Sequence, residues 1–94
     1  MALSERSIND KIEVVGEYKI VQVRRADIIE KDGVEVTRTF HRHVLQPGTL
    51  DSSDNLVDTD ISGEDADVQA ICNAAWTDAV KEAYRLHLVA TKIS

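Results

Sequence analysis

Only one cysteine, Cys72, and one proline, Pro47, occur in these 94 residues. A lone cysteine excludes an intrachain disulfide and a multi-cysteine zinc site. Aromatic side chains are just as scarce: Tyr18, Phe40, Trp76 and Tyr84. The core must therefore be built from Val, Ile, Leu and Ala, and a chain this short buries only about 60–65% of its unfolded surface. No apolar run approaches the roughly 18 residues of a membrane span. The N-terminal residues lack the apolar stretch of a secretory signal, so a soluble protein made in a reducing cytoplasm is expected. Between Pro47 and Asp67 positive charge is missing altogether, with seven acidic residues and no Lys or Arg. A net charge of −6 disfavours non-specific binding to nucleic acid or to an anionic membrane.

What is present reads as a single α+β domain. Residues 1–11 are polar and are expected to form a flexible N-terminal arm ahead of a domain over 12–94. From Ile12 to about Glu30 the chain is rich in β-branched residues without helical spacing, and Gly16 suggests a bulge or kink. Asp32-Gly33 is a strong two-residue hairpin signal. Val34, Val36, Phe40 and Val44 then fall on one parity until Pro47-Gly48. These features predict a long antiparallel β-hairpin over 12–46, or three to four shorter strands if it folds back. With a two-residue turn, Ile29 would face Val36, Asp27 would face Arg38 and Val21 would face Val44. A bulge beside the turn would shift that register by one residue. Residues 47–64 form an acidic loop. Val68, Ile71, Cys72, Ala75, Trp76, Ala79, Val80, Ala83 and Leu86 follow helical spacing, predicting one C-terminal amphipathic α-helix over 65–89 with Ser62 as its N-cap.

Lengths make these parts incomplete on their own. Strands of about 15 residues reach roughly 50 Å, whereas a helix of about 22 residues covers roughly 33 Å. Either the hairpin bends over the helix or part of it projects and is covered by another chain. Open sheet edges also invite strand addition. A homo-oligomer or a larger protein assembly is the expectation, with Val36, Phe40, Val44, Ile28 and Trp76 as candidate interface residues.

Two patterns resemble metal sites. Asp58-Thr-Asp60-Ile-Ser62-Gly63 matches the first six positions of a calcium loop, where alternating oxygens and a glycine wrap a hard cation. The match then fails, because Asp65 replaces the usual apolar residue and Gln69 cannot supply the bidentate carboxylate. The ordinary reading is turn and cap chemistry. His41 and His43 share one strand face at a spacing that suits a transition metal, but a third ligand would have to come from His87 on the helix, from Cys72 or from the acidic loop. The ordinary reading is a pair of hydrogen-bonded strand histidines. Arg24, Arg25, Arg38 and Arg42 cluster on the hairpin, yet nearby acids almost neutralise them, which favours cross-strand ion pairs such as Asp27–Arg38 over nucleic-acid binding. Cys72 and Trp76 lie on the apolar stripe of the helix, Cys72 as a core thiol and Trp76 as an anchor of the core or of an interface. No nucleophile–base pattern, phosphate-binding loop or small-molecule site is evident, and no cofactor is called for beyond the calcium alternative.

At His41-Arg-His-Val-Leu-Gln-Pro-Gly48, Asp58-Thr-Asp-Ile-Ser-Gly63 and Val68-Gln-Ala-Ile-Cys-Asn-Ala-Ala-Trp-Thr-Asp-Ala-Val-Lys-Glu-Ala-Tyr84 the chain resembles small uncharacterised proteins of tailed bacteriophages. Marine and cyanobacterial phages are the nearest in wording. The resemblance spans roughly residues 17–85 and carries no functional residue with it. It implies a non-enzymatic accessory protein, made in the host cytoplasm and incorporated in the virion or used in its assembly. The alternative is a small binding module that holds a host protein or a divalent cation through the acidic loop.

Overall fold

The computed structural model describes residues 2–93. Three strands, β1 (Leu3–Val15), β2 (Ile20–Lys31) and β3 (Val34–Leu45), form an antiparallel meander with β2 in the centre. A two-stranded ribbon of β4 (Gly48–Leu50) and β5 (Leu56–Asp58) follows, then α1 (Ala66–Ala75) and α2 (Asp78–Ile93). The class is α+β, and a β-hairpin (β2–β3) lies at its centre.

The hairpin turn forms where Asp32-Gly33 predicts it. Both residues have positive φ, 53° and 83°, as a type I′ turn requires, and Lys31 pairs with Val34. Just beyond, the register slips between Ile29 and Glu30, leaving Val36 as the extra residue of a bulge. Asp27 therefore pairs with Thr39 and Val21 with Leu45, one residue away from the unbulged alignment.

Residues 3–11 are strand, not arm. Strand β1 begins at Leu3 and runs beside β2 for its full length. Gly16 (φ 78°) and Lys19 (φ 52°) are not in a kinked strand but bound the four-residue turn that joins β1 to β2. A second bulge at Asp10 explains why β1 is hard to read. Ile12 pairs with Val23 and Ile8 with Ala26, so two even-numbered apolar residues face opposite sides of the sheet.

The single helix predicted over 65–89 is two helices, and the second extends to Ile93. α1 stops at Trp76, whose backbone leaves helical geometry at φ −90°, ψ 71°. Thr77 starts α2, its hydroxyl accepting from the Val80 N–H at 3.3 Å. Nor is Ser62 the first cap: Asp65 occupies that position, without a side-chain cap bond. The acidic loop also contains structure, since Gly48 pairs with Asp58 in β4–β5. A Cβ at Gly48 would collide with the Val57 carbonyl oxygen, which is why glycine follows Pro47 here.

The core is small and lies at one end. Val21, Val23, Val68, Cys72 and Trp76 are buried together, with Ile12, Leu45, Ile61, Ile71, Ala75 and Val80 packed around them. Burial raises the pKa of the Cys72 thiol, which makes it a poor nucleophile. Trp76 is 7% exposed, and its indole Nε1–H donates to the Lys19 carbonyl at 2.7 Å, fastening the β1–β2 turn to the helix junction. Tyr18 from that turn packs against Tyr84 and His87 of α2, with ring centroids 5.6 and 4.8 Å away. Beyond this end the sheet continues bare. The chain measures 59 × 26 × 22 Å with a radius of gyration of 17.5 Å, where a compact chain of this length would have about 12 Å.

Trp76→Ala should destabilise the fold by about 3–5 kcal/mol through lost packing. Trp76→Phe should cost less, about 1–3 kcal/mol, by leaving the Lys19 carbonyl without its donor. Denaturant unfolding at neutral pH measures both.

Candidate interaction surface

Alternation along β2 assigns each residue to one face of the sheet. Val21, Val23, Arg25, Asp27 and Ile29 share the face that carries the helices. Gln22, Arg24, Ala26, Ile28 and Glu30 share the opposite face, with Ile8, Phe40, Arg42 and Val44 from the neighbouring strands in register. No helix packs on this second face, yet Ala26 is fully buried and Ile28 is 1% exposed. Their cross-strand neighbours supply the cover: Ile8 and Phe40 beside Ala26, Arg6 and Arg38 beside Ile28. Long arginine stems lie over apolar surface while their charged heads stay in water.

Ion pairs hold those stems in place. Arg24 makes two hydrogen bonds to the Asp10 carboxylate, at 3.0 and 2.7 Å, and its guanidinium sits 4.4 Å above the Phe40 ring. The Asp10 bulge turns that carboxylate toward Arg24 instead of along the regular pleat. Arg6 pairs with Glu30 at 2.5 Å, Arg38 with Glu35 at 2.7 Å and Lys11 with Glu13 at 2.7 Å. Hydrogen bonds from Arg24, Lys11 and Arg38 hold the carboxyls of Asp10, Glu13 and Glu35, respectively, below their usual range. These pairs replace the predicted Asp27–Arg38 contact, which the bulged register separates.

On the helix-bearing face a polar cluster extends past the core. Asp27 accepts from Ser7 Oγ at 2.6 Å and from Arg25 at 3.0 and 3.2 Å, and faces His41 Nε2 at 3.0 Å. The Ser7 hydrogen bond, then Arg25, lowers the Asp27 pKa. Serine, aspartate and histidine meet here in the wrong order for a nucleophilic triad, because the carboxylate stands between hydroxyl and imidazole.

The predicted metal ligands separate. His41 and His43 do share a face, but His41 faces Asp27 while His43 Nε2 contacts Glu64 at 2.5 Å. Asp58 reaches Lys81 at 3.2 Å, whereas Asp60 accepts from the Ser62 backbone N–H at 2.9 Å within its own turn. Among the described residues no three His, Cys, Asp or Glu side chains converge on a common point. Much of the acidic stretch is tied down: Lys92 pairs with Asp54, Arg85 donates to the Asp54 carbonyl, and Asn9 reaches Asp65 and Asp67.

Of the predicted interface residues, Phe40, Val36 and Val44 are exposed, at 43%, 61% and 48%. Ile28 and Trp76 are not available, being buried within the chain. The β1 residues Arg6, Ile8 and Asp10 belong to this surface and escaped the sequence reading. Their signal was the alternation of Ile8, Ile12 and Val14, disguised by the bulge. No protein-family model matches the chain, and neither a curated protein nor a solved structure matches it. Among the described residues no helix is long and apolar enough to cross a membrane.

The depressed carboxyls set an acid limit. A folded-state pKa below the unfolded value adds stability above the unfolded pKa, and that stability is lost as pH falls through the folded pKa. The melting temperature should hold from neutral pH down to about 5 and then fall as pH drops through and below about 4. Asp10→Asn should lower the neutral-pH melt and flatten that acid slope, as thermal scans across pH will register.

Proposed function

We propose that this chain is a non-enzymatic, self-associating protein that serves as a component or assembly factor of a tailed-phage particle. The observation that carries self-association is the bare sheet. Three strands of 12 or 13 residues extend well beyond a core confined to one end. Single-layer sheet is poorly stabilised in water unless another layer or strand meets it. Exposed Leu3, Val34, Val36, Phe40 and Ile8 give that half an apolar component beyond scattered surface residues. Placement in a phage rests on the resemblance over residues 17–85, and synthesis in the host cytoplasm follows from it.

The working surface in this reading is the projecting half of the sheet with its edges, while the acidic ribbon acts as a connector. Light scattering on a size-resolved sample tests it. The expected mass is a multiple of the 10.5 kDa chain at micromolar concentration. A clean monomer at several hundred micromolar would remove the proposal's main support. Mass spectrometry of purified particles from the source phage tests the second half, with the intact chain expected in the virion or in its assembly intermediates.

A further inference from the structure

We infer that the partner is a second copy of this chain, joined edge to edge through β3 in antiparallel pairing about a two-fold axis at His41. The inference rests on the self-association proposed above and specifies its surface. Two edges compete for the role, and their differences choose between them. The outer edge of β1 is interrupted by the Asp10 bulge and carries Lys11 beside it, both devices that discourage strand addition. β3 contains neither lysine nor proline. After the bulge at Val36 it offers nine regular residues, Thr37–Leu45, on the outer side of the sheet. Along that stretch only Arg38 and Leu45 are even partly buried.

Charge and face select the register. Paired residues must share a face, so a two-fold axis can fall on a residue but not between residues. An axis at Phe40 would oppose Arg38 to Arg42 twice, and one at Arg42 would oppose Arg42 to itself; like charges directly opposite destabilise a sheet. An axis at Thr39 runs into the Val36 bulge after five regular pairs, and one at His43 passes the end of β3 at Leu45 after five. At His41 all nine residues pair, Phe40 lies opposite Arg42 of the second copy, and Arg38 lies opposite Val44. That arrangement adds a second guanidinium beside a ring already covered on one side by Arg24. Antiparallel pairing at this centre also sets the helix-bearing end of each copy beside the bare distal end of the other. The result is a continuous six-stranded sheet.

Residues paired across a sheet two-fold have Cα atoms about 4.5–5.5 Å apart, within disulfide range. The native Cys72 is buried and stays silent. His41→Cys should cross-link to a covalent dimer under mild oxidation. Thr37→Cys should not, since its two copies would lie about 27 Å apart, and Ser7→Cys on β1 should not either. Independently, the unmodified protein should show amide-exchange protection within 37–45 that fades on dilution. Efficient cross-linking at Ser7, or at Thr37 in preference to His41, would overturn the β3 assignment or its register. An oligomer by light scattering with neither the His41 cross-link nor concentration-dependent protection in 37–45 overturns the edge pairing while leaving self-association standing. A monomer overturns both.

Discussion

Trp76 is the point on which the folded end turns. Its ring fills the core beside Val21, Val23, Val68 and Cys72, its indole N–H holds the Lys19 carbonyl, and its backbone ends α1. Three elements are therefore referenced to one side chain: the sheet, the β1–β2 turn and the helix junction. A large aromatic with a polar handle suits this position, since it adds apolar area and still satisfies a carbonyl at the edge of the core. The direction of α2 follows from the break it creates. That direction brings Tyr84 and His87 against Tyr18 and presents Lys81, Arg85 and Lys92 to the acidic ribbon.

The acidic stretch takes its meaning from that arrangement. Read alone, seven carboxylates without a cation suggest an ion site or a repelling loop. In the fold they are distributed among α2 cations, Asn9, His43 and their own turns. Asp51 is typical, accepting from the Ser53 and Asn55 backbone N–H groups at 2.8 and 2.9 Å, and those bonds lower its pKa. The charge shapes a connector between sheet and helices through local Asx turns.

How much of this was legible depends on whether each signal was local. Asp32-Gly33 was readable because a type I′ turn depends on two residues. The helical stripe was readable from Val68 to Leu86, but not its interruption: Trp76 continues the pattern in type, and the break rests on its tertiary contact with Lys19 together with the Thr77 cap of α2. The first strand was hidden by the Asp10 bulge, which moved Ile8 and Ile12 to opposite faces. Val36 shifted the β2–β3 register for the same reason. Bulges insert one residue into a period of two, so they erase the alternation from which strands are recognised. The ion pairs followed the register, and so Arg38 met Glu35 instead of Asp27. Of the candidate surface, Phe40 and Val44 were found because they lie beyond the bulge.

The two bulges bear on function as well as on recognition. Each sits on an outer strand of the three-stranded meander. Asp10 divides the edge of β1 near its middle, whereas Val36 lies beside the hairpin turn and leaves the remainder of β3 regular. An edge meant to stay solitary gains from central interruption, because pairing then stops after a few residues on either side. An edge meant to be paired loses little from a bulge at its end. Apolar residues of the bare face stay exposed along both outer strands, Ile8 and Val15 on β1 and Phe40 and Val44 on β3, so the bulge positions set the two edges apart. The position of one extra residue in each strand thus separates a protected edge from an available one on the same small sheet.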